Sequence, residues 1–162
     1  MTTPLKRALS KTSTLQQSVC HGLGAMDKAH RKHVDRVIRP DFTDSVDIDA
    51  SLQAGHEEEN RWDYLLGHEP SSSVIGLEPH SAYTGEVATV IAKKKAAREQ
   101  LRAHLRSGHK VAAWYWVASG RVDFVPHDKV LLRLIQEGIT FVGGTLRATN
   151  LGDLMPKKPS RR

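Results

Sequence analysis

The chain has 162 residues, a formal net charge of +6 and a single cysteine, Cys20. One cysteine excludes an intramolecular disulfide framework, and the chain has no cysteine-rich zinc pattern. No apolar run approaches the ~18 residues that a transmembrane helix needs, and the basic, polar N-terminus lacks an apolar signal core. These features predict a cytoplasmic protein with one domain and no membrane association.

Charge is distributed unevenly along the chain. Residues 1–40 have a net charge of +6, whereas residues 41–70 have −8. Residues 71–110 and 111–162 have +4 each. The acidic segment is therefore either a set of solvated loops or a cation-binding centre framed by a basic surface, and such a surface attracts polyanions.

The first half of the chain predicts one helix followed by three strands. Residues 1–22 are basic and polar without periodicity, which predicts a flexible N-terminal arm. Apolar residues at helical spacing predict a helix over 25–40 that ends at its proline. Apolar alternation and turn composition then predict short strands over residues 44–51, 61–67 and 73–79.

The second half begins with the helix that the sequence predicts most strongly, over 84–108, which has a regular apolar stripe and a terminal glycine. An apolar strand over 110–119 follows, and Gly120-Arg121 indicates a tight turn that would make a hairpin. The remaining predicted segments are a helix, a strand and a basic C-terminal tail, over 127–138, 139–146 and 151–162.

This order of elements predicts the fold class. Three strands followed by a helical crossover to another buried strand imply a mixed sheet with helices packed on it. We therefore expect residues 23–150 to form one globular domain of the α/β class, or α+β by stricter criteria.

Acidic residues interrupt two of the predicted strands. Asp63 lies inside one strand, and Glu78 and His80 lie two residues apart at the end of the next, which places them on one face. Two neighbouring carboxylates raise each other's pKa unless a cation joins them. We therefore expect Asp63 and Glu78 to hold a divalent cation through oxygen ligands, with His80 as a nitrogen ligand or a general base.

A lysine on the long helix is a further candidate. Lys94 lies seven residues after Val87 and three after Ile91, so it is on the apolar stripe that faces the sheet. Its amine either stabilises charge at a phosphate or extends along the surface to solvent. Asp47 and Asp49 are either additional acidic ligands or solvent-facing side chains.

The order helix, antiparallel three-stranded meander, helix, strand resembles the αβββαβ core of the PD-(D/E)xK nuclease superfamily, the restriction-endonuclease-like fold. In that superfamily an acidic residue on one strand is followed by D/E-x-K at the end of the next. This chain matches with Asp63 and then Glu78-Pro79-His80, so that His80 stands where the lysine is usual. Some members place the lysine on the following helix, where Lys94, or its neighbour Lys93, corresponds. Residues 26–146 are also similar to a family of small bacterial proteins.

The resemblance implies metal-dependent hydrolysis of phosphodiester bonds in nucleic acid, DNA more than RNA. Asp63 and Glu78 would hold Mg²⁺ or Mn²⁺, His80 would orient or deprotonate a water, and Lys94 would contact the phosphate. The missing lysine in the strand motif favours an alternative, a catalytically inactive relative that binds nucleic acid or a protein partner. A homodimer is compatible with either.

Two further interpretations remain open from the sequence. Glu78 and His80 can form a purely structural pair whose charge Arg61 or Lys94 neutralises. The aromatic residues of one predicted strand can stack on nucleic-acid bases or fill the core, although alternation turns at least one of them inward: Trp114, Tyr115 and Trp116.

Overall fold

The structure, a computed structural model, describes residues 2–124 and 129–155. Its centre is one sheet in the order β1-β2-β3-β4-β5-β6. The strands are β1 (Cys20–His21), β2 (Phe42–Asp47), β3 (Tyr64–His68), β4 (Ser73–Ala82), β5 (Val111–Val122) and β6 (Ile139–Phe141). Strands β1 to β4 are antiparallel neighbours, and β4, β5 and β6 run parallel.

Four α-helices accompany the sheet in the described part of the chain: α1 (Pro4–Ala8), α2 (Ile48–Ser51), α3 (Val87–Leu101) and α4 (Lys129–Gln136). The predicted α/β class, with a mixed sheet and flanking helices, is confirmed. The meander β2-β3-β4 is followed by α3 and the parallel strand β5, as the sequence predicts. None of the helices in the described ranges is long and apolar enough to cross a membrane.

Strand alternation divides the interior into two cores. On β5, Trp114 and Trp116 belong to the core that contains the α-helices, whereas Tyr115 and Val117 belong to the core on the opposite face. The middle of β5 is buried on both faces, which is the usual environment of a parallel strand. On β4, Val74 points toward the helical core, so the even-numbered residues of this strand face α3.

Gly76 of β4 makes room for two indole rings of the helical core. A Cβ at this position would lie 2.7 Å from Cε3 of Trp114 and 3.0 Å from Nε1 of Trp62, and both rings are buried. We predict that Gly76→Ala lowers the free energy of unfolding by about 1–3 kcal/mol because the rings must shift in a packed core.

Urea denaturation measures this cost, with Gly120→Ala on β5 as the control. A Cβ at Gly120 meets no atom within 4 Å, so the two substitutions differ in packing and not in chemistry. Equal costs for the two alanines would contradict the close approach at Gly76.

The expectation of a flexible arm over residues 1–22 is wrong for the described part of that segment. Leu5, Leu9 and Leu15 are buried in the helical core. The buried carboxylate of Asp44 on β2 accepts hydrogen bonds from the backbone N–H groups of Leu5 and Lys6 and so holds the start of α1. This segment is ordered by contacts with distant parts of the sequence, which local composition does not reveal.

The predicted helix over 25–40 is also wrong. The segment forms turns, with short 3-10 helices at Arg31–His33 and Arg39–Asp41. Its apolar residues Met26, Val34 and Ile38 are nevertheless buried, on the sheet face opposite α3. The apolar spacing therefore predicted correctly which residues are buried, although the backbone is not helical.

Several predicted boundaries move in the structure. Strand β2 ends at Asp47, and α2 takes over the rest of the strand expected to Ser51. The helix expected to 108 ends at Leu101, and the strand expected to 146 ends at Phe141. The hairpin at Gly120-Arg121 does not form, because β5 continues to Val122, which lies opposite Ala82 in the parallel ladder.

The C-terminal boundary and the end of β4 also differ from expectation. Residues 148–154 form a 3-10 helix whose Leu151 is buried, so the domain extends beyond 150, and the tail 156–162 lies outside the described residues. Strand β4 does not stop at Pro79 but continues to Ala82. Its ladder with β3 ends at Leu77, so Pro79 has only β5 as a neighbour, an edge-like setting in which sheets tolerate proline.

Candidate active site

The end of β4 that extends beyond β3 carries Glu78 and His80 on the face covered by α3. The Glu78 side chain is 0% exposed, and its Oε1 accepts a hydrogen bond of 2.9 Å from the backbone N–H of Asp63. Asp63 immediately precedes β3, and its carbonyl accepts hydrogen bonds from Ile48 and Asp49, so its backbone is fixed from both sides. Asp63 is thus placed beside Glu78, as the sequence predicts, although it lies before the strand and not within it.

Lys93 of α3 joins the two carboxylates. Its ammonium donates a hydrogen bond to Oε2 of Glu78 and lies 3.5 Å from Oδ1 of Asp63. The Lys93 side chain is 15% exposed. Burial disfavours this charged ammonium, but the nearby carboxylates of Glu78 and Asp63 outweigh burial and raise the pKa of Lys93.

His80 is held between two carboxylates. Its Nδ1 lies 3.4 Å from Oε2 of Glu78, and its Nε2 lies 2.9 Å from Oε2 of Glu86. The hydrogen bond to Glu78 raises the pKa of His80, burial opposes it, and Glu86 adds to the increase. The imidazole is therefore fixed in orientation and favours its protonated form.

Asp63 has a strongly shifted pKa. Burial and the negative charge of Glu78 raise its pKa to about 7, although Lys93 opposes the shift. The side chain is 20% exposed, so it remains within reach of solvent. A carboxyl group whose pKa is near neutrality, beside a second carboxylate and an ammonium, is typical of functional sites.

Lys94, the lysine expected here, lies elsewhere. Its ammonium donates to the carbonyl oxygen of Glu137 and sits 5.9 Å from the ring centre of Trp114. Consecutive residues of a helix point in different directions, and Lys93 is the one that faces the acidic end of β4. The expectation for Lys94 at the carboxylates is therefore wrong, and its neighbour Lys93 takes that position.

The other acidic candidates have local partners. Asp47 accepts a hydrogen bond of 2.9 Å from the backbone N–H of Ala50 and caps α2. Asp49 forms an ion pair of 2.9 Å with Arg61. Arg61 is occupied by Asp49 and by nearby carbonyl groups, and the neutralising cation of Glu78 is Lys93, not Arg61 or Lys94.

The carboxylate oxygens of this site supply part of the coordination that a hard cation such as Mg²⁺ needs. Glu78 and Asp63 direct one carboxylate oxygen each toward one ammonium, which shows that their oxygens converge on a single positive charge. Mg²⁺ is usually bound by one or two carboxylates together with waters and substrate phosphates. Within residues 2–124 and 129–155, no group of three His, Cys, Asp or Glu side chains is arranged to hold an ion, so water or phosphate would have to complete the coordination.

Glu86 was missed as a site residue, and Lys93 was named only as the alternative to Lys94, although the sequence contains a signal for both. They are seven residues apart on the long helix, which is two turns, so they share one face. Val90 and Ala97 lie on the same face and are buried. A helix face with two charged residues between buried apolar ones indicates polar partners on the element opposite.

Comparison with known proteins adds no relative to this description. No protein-family model, curated protein or solved structure matches the chain. The resemblance to the PD-(D/E)xK superfamily therefore stands on the motif and the order of elements alone.

Proposed function

We propose that the protein is a metal-dependent nuclease that hydrolyses phosphodiester bonds, with DNA as the preferred substrate. The observation that carries the proposal is the convergence of Asp63 and Glu78 on the Lys93 ammonium, with His80 against the same carboxylate. The order of elements and a lysine supplied by the helix support membership of the PD-(D/E)xK superfamily.

Each side chain has a chemical role in this proposal. Asp63 and Glu78 would hold Mg²⁺ or Mn²⁺, which would supply a bound water of lowered pKa and neutralise the phosphate. Lys93, released from the carboxylates, would stabilise negative charge on the scissile phosphate. His80, oriented by Glu78 and Glu86, would exchange a proton with the attacking water or the leaving oxygen.

Cleavage of supercoiled plasmid and of end-labelled duplex in Mg²⁺ or Mn²⁺ tests this proposal. We expect Glu78→Gln, which keeps the shape of the side chain, to lower the cleavage rate ~100-fold or more, because a metal ligand is lost. Glu59→Gln, on the acidic loop that precedes Asp63, is the matched control and should cleave as the unaltered protein does. Unchanged cleavage by Glu78→Gln would overturn the site assignment.

A second candidate function has one observation in its favour. The Lys93 ammonium already neutralises the two carboxylates, so the cluster is satisfied without a metal ion. The protein would then be a nuclease-like module that binds nucleic acid or a protein partner without cutting. Thermal unfolding separates the two candidates: the stability of the nuclease should rise with the logarithm of the Mn²⁺ concentration, and that of the binding module should not change.

A further inference from the structure

A cavity of about 580 Å³ lies beside the C-terminal half of α3 and the beginning of β5, apart from the acidic cluster. Its apolar lining includes Leu101, Val111 and Trp114. Its charged lining is of one sign, with no Asp or Glu among the described residues that form it, and consists of Lys94, Arg98, Arg102, Arg106 and Lys110.

Two of these cations are held in place by carbonyl groups. Nε of Arg106 donates a hydrogen bond of 2.9 Å to the carbonyl of Leu9, and the ammonium of Lys94 donates to the carbonyl of Glu137. Neither contact cancels the positive charge. Burial, and then the charge of Arg98, lower the pKa of Lys94, whereas the negative charge of Glu137 opposes this shift.

Two further cations project from successive turns of α3. Arg98 and Arg102 are exposed and four residues apart, a spacing that puts their Cβ atoms ~5–6 Å apart and at which like charges repel. Arg102 has a partner, Glu99 at 3.1 Å, but both side chains are mostly solvated and the pair is weak. A row of phosphates along α3 would relieve this repulsion.

The lining also indicates which form of nucleic acid fits. Proteins that bind single strands usually present aromatic rings on which bases stack. Trp114, the aromatic residue of this lining, is 6% exposed and packs its ring edge-on against Trp62, so it offers no stacking surface. His109 is an exposed ring of this lining, but it stands among five Lys and Arg side chains, which are suited to the phosphate backbone that a duplex presents on its outside.

We propose that this basic cavity binds the phosphate backbone of a DNA duplex and positions it for the candidate active site. Lys93 and Lys94 are consecutive on α3, and one contacts the carboxylate cluster while the other lines the cavity. Consecutive residues of an α-helix point in adjacent directions, so the two sites border neighbouring faces of the same helix. The choice of DNA as the ligand rests on the proposed function, whereas the cavity as its binding surface is a separate inference.

Fluorescence anisotropy with a labelled 20-base-pair duplex, in EDTA and over a range of salt concentrations, tests the surface independently of cleavage. We expect Arg98→Ala/Arg102→Ala to weaken binding at least ~10-fold and to reduce the salt slope by about 2, since each lost phosphate contact removes ~0.9. Both residues are exposed, so the fold should persist, which circular dichroism checks.

Lys28→Ala/Arg36→Ala is the matched control. It removes the same charge from exposed positions in the segment that packs on the opposite face of the sheet. Equal losses in both double variants, tighter binding of a single strand than of the duplex, or no duplex binding by the unaltered protein would each overturn the proposal. Duplex binding without cleavage would support the cavity and count against the nuclease, so the two proposals fail separately.

Discussion

Replacing Lys93 with methionine is expected to lower the free energy of unfolding by about 3 kcal/mol at neutral pH and to abolish cleavage. The substitution keeps the aliphatic stem and removes the ammonium that contacts Glu78 and Asp63. Glu78 is fully buried, and removing one partner of a buried ion pair is costly because the other charge is left uncompensated. Urea denaturation measures the cost, and the plasmid assay measures the loss of activity.

Lys94→Met is a closely matched control, because it removes the same charge from the next residue of the same helix. Lys94 contacts a carbonyl group and an aromatic ring, not a buried carboxylate, so we expect a cost of about 1 kcal/mol. The deficit of Lys93→Met should shrink as the pH is lowered, because Asp63, whose pKa is raised to about 7, becomes protonated and no longer needs the ammonium. A larger cost for Lys94→Met than for Lys93→Met would contradict the placement of the two lysines.

The contrast between these lysines shows what the sequence could and could not predict. Alternation along β4 was sufficient to place Glu78 and His80 on one face, because strand periodicity is a local property. The apolar stripe of α3 was also visible, but both lysines border it: Lys94 follows Val87 and Ile91, and Lys93 follows Val90. Which of them meets the carboxylates depends on how the helix lies on the sheet, and this is a tertiary property.

The misassigned segments have the same cause. Leu5 and Leu9 are buried because Asp44, almost forty residues away, holds the start of α1. Instead of the turn expected at Gly120-Arg121, β5 continues and pairs in parallel with β4. The hydrogen-bond partners on β4 are distant in sequence, so local sequence patterns do not reveal them. Tertiary contacts override local propensity most easily in short segments.

Asp63→Asn is expected to stabilise the protein at alkaline pH. The pKa of Asp63 is raised from 3.8 to about 7 in the folded state, mainly by burial and by Glu78. Between these two values the folded protein retains a proton that the unfolded chain has released, so rising pH favours unfolding. In EDTA, the wild-type free energy of unfolding should therefore lose on the order of 4 kcal/mol from this residue between about pH 4 and pH 8.

The asparagine variant lacks this titration. Its amide resembles the protonated carboxyl group, so the two proteins should be about equally stable near pH 4 and diverge as the pH rises. Urea denaturation at intervals of pH measures the divergence. Asp153→Asn, which removes an exposed carboxylate outside the cluster, controls for the loss of one negative charge. Parallel pH profiles for wild type and Asp63→Asn would contradict the raised pKa.

Measuring cleavage by Asp63→Asn distinguishes a catalytic role of Asp63 from a purely structural one. If Asp63 is retained for catalysis, Asp63→Asn gains stability at pH 8 and loses cleavage, whereas Lys93→Met loses both. Residues that function requires commonly cost stability, and their replacement reveals the cost. A cluster without a catalytic role predicts the same gain in stability, because the gain follows from the raised pKa of Asp63, but it predicts no loss of cleavage. Opposite changes in stability and activity at Asp63 would therefore favour an active site over a buried ion pair.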